Sequence, residues 1–465
     1  MEFLRRILLT VDYLAIVYFV IVYGIYLLLN SAAFFSIRRS GFYDRISEKE
    51  TNFHSEFYKP LSIIVPAYNE EKTVVENVNS MLALDYPEFE IIVVNDGSND
   101  DTLARLKEKF SLVSTVRPDE ERLETEKVRK IYRSPQEPGL VVIDKKNGGK
   151  ADALNAGINM AQFPLICSVD ADSLLDSSAL IKIVEPFVRD WRVVAAGGTV
   201  RIANDSEIKN GGIKNVRLPR KSLPRFQVVE YLRAFLFGRM GWAALRSLLI
   251  ISGAFGVFKR KFVIEAGGYT TDTVGEDMEL VLKLHQHMVE RGREFRFKFI
   301  PEPVCWTQVP ESISMLASQR RRWQRGLGES LILHKNMLFN KKFGPAGMLA
   351  YPFFLLVEFL GPVLELAGYM AIILTIILGF ASTELILLFI LAAVGLGVLL
   401  STLSLLYEEL SFGKYPGLKD ILILFAYAVL ENFGYRQLHS WWRLRGIIDF
   451  LRKRTDWGEQ LRRDF

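Results

Sequence analysis

The chain has 465 residues, 50% of them apolar (AVILMFWYC) and 24% charged, with a formal net charge of +5. That balance excludes a disordered tail protein, a collagen and a disulfide-stapled miniprotein. The length allows about three folding units, and so mild a positive charge suits an anionic ligand or a membrane surface better than a nucleic-acid groove, so no nucleic-acid partner is expected.

The averages hide a split, with apolar runs at both ends and charge in the middle. Tyr13 to Ile37 holds no charged residue. At about 1.5 Å per residue this run outreaches the ~30 Å hydrocarbon core. It is too long for the apolar core of a cleaved leader, so residues 1–38 read as a transmembrane signal anchor. From about Ser40 to Lys342 the pattern becomes α/β. Leu61–Val65, Glu90–Val94, Leu140–Ile143 and Leu165–Val169 are short β-branched runs. Polar, helix-prone stretches separate them: Glu70–Leu84, Asp101–Phe110 and Gly149–Met160. Such alternation predicts a doubly wound, mainly parallel sheet, with its ligand crevice beyond the carboxyl ends of the strands. Val116–Gly139, charged and Pro-containing, reads as a surface insertion.

In the C-terminal third, Leu366–Thr383 and Leu385–Tyr407 are uncharged and long enough to span a bilayer, with Glu384 in the turn between them. Phe343–Val357 and Ile421–Leu430 are shorter, and Glu358, Glu365 and Glu431 interrupt or border them. Gly361-Pro362 kinks any helix there, so these two runs read as interfacial or re-entrant. Arg38 and Arg39 after the first run, and the basic residues from Arg436 onward, place both segments on the cytoplasmic side. Three or five spans satisfy that constraint. Trp441–Trp457 interleaves aromatic and basic residues, as an interfacial helix does. The expected division is an anchor at 1–38, a cytoplasmic α/β domain at 39–342, transmembrane and interfacial helices at 343–435, and a basic cytoplasmic tail at 436–465. Cys167 and Cys305 lack metal-ligand spacing and read as buried small apolar residues. His285 and His287 are spaced wrongly for a shared metal face and read as ordinary helix residues.

The chemistry is concentrated at the strand ends. Pro66-Ala67-Tyr68-Asn69-Glu70-Glu71 follows the first strand and Asn95-Asp96-Gly97-Ser98 the second. Asn147-Gly148-Gly149-Lys150 follows the third, and Asp170-Ala171-Asp172 the fourth. Each alone is an ordinary turn or solvated loop; four in order at successive strand ends make a pattern. Together with Thr273-Val274-Gly275-Glu276-Asp277 and Gln319-Arg320-Arg321-Arg322-Trp323, the set resembles the family 2 inverting glycosyltransferases. The Q-x-x-R-W run is similar to their membrane-embedded, processive branch, the synthases of cellulose, hyaluronan and poly-N-acetylglucosamine. The resemblance covers roughly residues 60–330.

That resemblance implies a GT-A-like fold, a UDP-sugar donor and a glycan or lipid-linked acceptor. It implies a multi-pass protein of the plasma membrane with its catalytic domain in the cytoplasm. The NGGKADALNAG stretch leans toward UDP-N-acetylglucosamine. A secretion channel needs more helices than the clear spans supply, which a homo-oligomer or accessory subunit would provide. Breaking an anomeric bond to a diphosphate piles up negative charge that a hard cation can neutralise. Asp170 and Asp172 suit that ion, since carboxylates so close repel without a cation or a proton; the resemblance makes it Mg²⁺ or Mn²⁺. By the same resemblance Asp96 contacts the uridine, while Pro66, Tyr68, Glu70 and Asp170 line the nucleotide pocket. Lys150, at a helix start after two glycines, can approach the diphosphate. The acceptor hydroxyl needs a general base, a role that falls to Asp277, with Glu276 and Glu279 as nearby alternatives. Gly275 stands where many members carry Thr. Gln319, Arg322 and Trp323 share a helix face. Arg322 can grip the leaving diphosphate and Trp323 offers a flat face to the acceptor sugar. Arg320, Arg321 and Arg325 around them also suit a basic helix resting on anionic lipid, and Ser252–Gly256 resembles the family's acceptor-side segment. Two other readings compete with a polymer synthase: a single-transfer enzyme using a lipid-linked acceptor, and a channel or transporter whose cytoplasmic domain only senses a nucleotide.

Overall fold

The computed structural model describes residues 1–47, 58–116, 122–209, 212–413, 415 and 417–453. Residues 454–465 of the expected basic tail, including Trp457, and residues 117–121 of the expected insertion lie outside the described residues.

Twelve strands follow in chain order among the described residues. The first six are β1 (Leu61–Ala67), β2 (Phe89–Asn95), β3 (Val113–Thr115), β4 (Val128–Arg133), β5 (Leu140–Lys145) and β6 (Leu165–Val169). The rest are β7 (Ser173–Leu175), β8 (Val193–Ile202), β9 (Glu207–Lys209), β10 (Gly212–Asn215), β11 (Phe255–Lys259) and β12 (Arg296–Thr307). Ten of them form one sheet in the order β3-β4-β5-β2-β1-β6-β11-β8-β12-β7. The block β5-β2-β1-β6 is parallel throughout, and it carries the four strand-end motifs. β8 and β12 are also parallel to each other, whereas β3, β4, β7 and β11 run against their neighbours. The expected insertion at Val116–Gly139 is therefore partly sheet: Val128–Arg133 forms a ladder with β5. Leu123 and Glu126 fix the approach to it by backbone hydrogen bonds to the Asn159 and Asp152 side chains. Charge on β4 obscured this, because only Ile131 and Tyr132 of that strand are buried.

Strand alternation divides the core in two. Leu61, Ile63 and Val65 face one side, with α2 (Val74–Leu82), α3 (Thr102–Lys109) and, further on, α5 (Ala179–Arg189). Ile64, Ile92 and Val94 face the other, with α4 (Lys150–Met160) and α9 (Glu276–Glu290), and α6 (Ser222–Tyr231), α7 (Arg239–Ala244) and α8 (Arg260–Glu265) lie between them in the chain. Each such aliphatic side chain contributes about 1.5–3 kcal/mol on burial, so a strand with both faces covered has little freedom of register. Cys167 and Cys305 are buried and free.

The N-terminal helix α1 (Glu2–Ser47) is continuous, and its Leu29 and Ala33 join the same core as α4 and α9. Its Glu2–Arg38 part and the helical stretch Thr383–Ser411 are each long and apolar enough to cross a bilayer. Ala346–Phe359 and Gly361–Ile377, bent by 44°, pass the same test as a pair, so the candidate spans number two or three among the described residues. The bend falls where Gly361-Pro362 predicted a kink. The expected span at Leu366–Thr383 is thus one arm of this pair, and the shorter Phe343–Val357 run lies in the other arm. The arm ends at Ile377, and Ser382 caps the next helix through the Leu385 amide at 3.2 Å. Glu384 sits in that helix's first turn rather than in the connecting turn. Ile421–Leu430 lies in a helix of 13 residues, Leu418–Leu430. The aromatic-basic segment forms the helix Tyr435–Leu451 and packs on α10 (Ile313–Leu333), with Arg321 to Asp449 at 2.6 Å and Arg443 to Gln324 at 2.8 Å.

Candidate active site

A cavity of about 2210 Å³ opens at the carboxyl ends of β1, β2, β5 and β6. Pro66, Tyr68, Glu70, Asp96, Lys150, Asp170, Asp172, Glu276, Asp277, Gln319, Arg322 and Trp323 all line it. Every side chain singled out by the motifs therefore shares one space. Glu279, the further alternative base, does not line it. Its carboxylate is buried against His334 at 3.1 Å and Lys283 at 3.3 Å, two residues past Asp277 on α9.

The second strand's acid has an unexpected setting. Asp96 is 3% exposed. It takes an ion pair from Lys145 at 2.5 Å and hydrogen bonds from the Gly148 and Gly149 amides at 3.0 and 2.8 Å. Lys145, fully buried, also reaches Asp152 on α4 at 2.5 Å. This ion triad fastens the glycine loop to the end of β2. Two adjacent lysines, Lys145 and Lys146, precede the loop, and nothing in their pattern says which turns inward. Glu70 is equally structural in its contacts. It starts α2, accepting from the Thr73 hydroxyl at 2.9 Å while its amide donates to Thr102. Tyr68 is exposed on the rim, 3.4 Å from Asn99.

The acids after β6 face differently. Lys150 lies 2.6 Å from Asp170 and 3.3 Å from Glu276, joining the fourth strand end to the start of α9. Burial pulls the Lys150 ammonium down, but Asp170 and Glu276 outweigh it and the net shift is upward. Asp172 is pushed up to about 6 by burial and by the Asp170 charge, with Lys150 and Arg322 opposing. Burial also raises Glu276, against Lys150 and with Asp277. Among the described residues no group of three or more His, Cys, Asp or Glu side chains is placed to enclose a metal ion. The Asp170–Asp172 pair can supply hard oxygen ligands from two carboxylates.

Asp277 sits in the first turn of α9 beside Glu276 and Glu279. Its Oδ2 accepts from the Gly253 amide at 3.3 Å and its Oδ1 from the Met278 amide at 2.8 Å. The first of these contacts ties the Ser252–Gly256 segment to the acid. Across from it runs α10, begun by Ser312, whose hydroxyl accepts from the Met315 amide. Gln319, Arg322 and Trp323 point from α10 into the cavity, as their spacing predicts. Burial lowers the Arg322 pKa, with Glu276 and Asp170 opposing. The neighbouring arginines are not a lipid-facing row: Arg320 is buried on Glu230 at 2.9 Å, Arg325 is buried, and Arg321 is tied to Asp449. Past Trp323 the cavity continues between helices, to Tyr23 and Tyr26 of α1 and to Glu358, Glu365, Arg436 and Arg443.

A mainly parallel sheet with acids gathered at its strand ends and a helical flank places the chain among GT-A glycosyltransferase folds. The structure of mannosyltransferase PcManGT from Pyrobaculum calidifontis, solved with GDP-Man and Mn²⁺, superposes with a TM-score of 0.52 at 17% identity, over 92% of this chain and 99% of that one. At that identity the likeness is one of fold. The chain belongs to glycosyl transferase family group 2, whose signature spans residues 165–400, and the signature described as glycosyl transferase family 2 spans residues 62–263. Among curated relatives, the poly-beta-1,6-N-acetyl-D-glucosamine synthase of Staphylococcus aureus (strain COL) is 30% identical over 285 residues, 61% of this chain and 58% of that protein. The enzyme of the same name from Staphylococcus epidermidis is 29% identical over 318 residues, 68% of this chain and 66% of that protein. The match thus spans less than two thirds of the length of either relative.

Proposed function

We propose that this chain is a membrane-bound inverting glycosyltransferase that moves a sugar from a UDP-sugar to an acceptor hydroxyl in polysaccharide synthesis. The observation that carries the reading is the convergence of Asp96, Asp170, Asp172 and Asp277 on one cavity. UDP-N-acetylglucosamine is the favoured donor, because the staphylococcal relatives bear the name of N-acetylglucosamine polymer synthases. The division into an anchor at 1–38, a cytoplasmic catalytic domain at 39–342, membrane helices at 343–435 and a tail at 436–465 belongs to the same proposal, as does a plasma-membrane location.

In this reading Pro66, Tyr68 and Asp96 frame the nucleotide. Lys150 and Arg322 flank the diphosphate, the second as a bidentate donor. Asp277 accepts the proton of the acceptor hydroxyl as its oxygen attacks the anomeric carbon from the face opposite the diphosphate. The new glycosidic bond forms, the anomeric bond to the diphosphate breaks, and UDP leaves with the electron pair. Glu276 holds Lys150 in place, and Trp323 and Gln319 form the floor under the acceptor ring. The Asp170–Asp172 pair suits a divalent cation that takes its remaining ligands from phosphate and water, the donor set such hard ions prefer. Bound there, Mg²⁺ or Mn²⁺ would neutralise charge on the departing diphosphate.

A single-transfer enzyme with a lipid-linked acceptor remains the second reading, favoured by the count of two or three candidate spans. Purified full-length protein is given radiolabelled UDP-N-acetylglucosamine and the products are sized. Consumption with long products supports the polymerase and a single added sugar the second reading. An intact donor, whichever nucleotide sugar is supplied, would mean a sensor domain and no transferase.

A further inference from the structure

Arg239, at the start of α7, lines the same cavity and is only 7% exposed. Among the described residues no carboxylate comes within ion-pair distance of it, and its Nη1 has no hydrogen-bond partner. The guanidinium lies 4.1 Å from the centre of the Phe235 ring, and that ring lies 6.0 Å from Trp323. Other buried arginines are matched, Arg320 by Glu230 at 2.9 Å and Arg201 by Glu408 at 2.7 Å. Burial lowers the Arg239 pKa to about 10, with the Asp277 charge opposing, so the group stays cationic at neutral pH. A desolvated cation with no carboxylate in direct contact is costly to keep.

The position of α7 says what could satisfy it. At Gly241 a Cβ would stand 2.7 Å from the Leu29 carbonyl oxygen of α1, so the helix is pressed against the membrane anchor. Trp242 packs its ring 5.1 Å from that of Phe353. Arg239 therefore stands where the cavity passes from Asp277 toward the apolar helices, while Lys150 and Arg322 already serve the donor's diphosphate.

We propose that Arg239 binds an oxyanion carried by the acceptor, a phosphate held either by a lipid or by a soluble glycan. This rests on the sugar-transfer reading and names the acceptor's chemistry. The test uses the full chain in phosphatidylcholine nanodiscs, with radiolabelled farnesyl phosphate and radiolabelled orthophosphate as probes and farnesol as the neutral control. Wild type binds a phosphate probe saturably. Arg239→Gln weakens that binding on the order of thirtyfold, Arg239→Lys retains most of it, and UDP affinity is unchanged in both. Because Gln removes a desolvated charge that lacks an ion-pair partner, its unfolding midpoint equals or exceeds that of wild type. Preference for farnesyl phosphate supports a lipid-borne anion, and equal competition by orthophosphate supports a soluble one. The proposal is overturned if neither anion binds saturably, if Arg239→Gln binds as wild type does, or if UDP affinity falls in step with anion affinity. Donor turnover is scored separately, so failure of the transfer reading shows as unconsumed nucleotide sugar with anion binding intact.

Discussion

Asp96 and Asp172 both stand at the carboxyl end of a parallel strand, yet their surroundings are opposite. Around Asp96 the partners lie within the chain: Lys145 at 2.5 Å, two loop amides, and Asp152 on the far side of the same lysine. Around Asp172 the balance is left open, and burial with the Asp170 charge pushes its pKa up to about 6. Asp277 takes hydrogen bonds from the backbone amides of Gly253 and Met278 and, among the described residues, has no ion-pair partner within 4 Å. The closed region is scaffold, and under the proposed function it shapes the nucleotide pocket before any ligand arrives. In the open region a ligand's own charge completes the circuit. Asp96 is buried and in direct contact with a lysine, whereas Asp172 is partly exposed and has no ion-pair partner within 4 Å among the described residues.

The contrast makes predictions that differ in kind and size. Removing divalent cations acts on the open region alone. EDTA treatment of the purified protein is expected to abolish sugar transfer, with Mg²⁺ or Mn²⁺ restoring it and the unfolding midpoint little changed. Full activity in chelator would take the cation out of the reaction. Asp277→Asn comes next. The amide keeps the shape and loses the proton-accepting charge, so turnover should fall by about 10²–10⁴-fold while UDP binding, read by equilibrium dialysis, survives. Near wild-type turnover would assign the base elsewhere, with Glu276 the first candidate. Lys145→Met, in the closed region, should act on stability instead. It leaves Asp96 and Asp152 buried without their cation, at a cost of about 3–5 kcal/mol, seen as a lowered unfolding midpoint and loss of UDP binding together. A Lys145→Met protein that melts like wild type would show that the triad is not scaffold.

The same contrast explains what could be read in the sequence. The four strand ends were legible because a parallel strand with both faces buried leaves a continuous β-branched run, and the residue after it is fixed in space. Each of β1, β2, β5 and β6 appears within two residues of its expected bounds. The shared helix face of Gln319, Arg322 and Trp323 followed from spacing alone. Lys145 was hidden because its partners lie 49 residues back and seven ahead, and ion pairing has no local period. Arg239 was hidden for the converse reason: an arginine in an apolar helix carries no mark that distinguishes a snorkelling surface residue from a buried one. Strand β4, polar on one face at the edge of the sheet, gave only a weak alternation. The bent helix pair was read as two separate runs, a short one before the break and one long enough to span after it, since the break between Phe359 and Gly361 divides one apolar stretch.

The smallest predicted effect concerns the seam between α9 and α10, which sets the distance from Asp277 to Arg322. A Cβ on Gly275 would stand 2.7 Å from the Gly326 carbonyl oxygen, and a Cβ on Gly326 would stand 2.7 Å from the Gly275 Cα. Both obstacles are backbone, so neither can turn aside as a side chain tip would. Gly275 has φ −115°, a value open to any residue, so space alone demands glycine here. Ser330 also donates to the Gly275 carbonyl oxygen at 3.3 Å, and Thr273 and Val274 both donate to Glu329 of α10 at 2.9 Å, holding the seam shut. The Thr that many family members carry at this position would therefore need a wider seam than this chain has. Gly275→Ala is expected to cost about 1–3 kcal/mol as overpacking, and to lower turnover while UDP affinity, which the proposed function assigns to the distant Asp96 cradle, holds. Gly275→Thr should cost more on both counts. Because Gly275 and Gly326 meet each other, the double alanine variant should depart from the sum of the two single ones. A Gly275→Thr protein with the wild-type unfolding midpoint would mean that the two helices have room to separate, and that Asp277 and Arg322 are not held at a fixed distance.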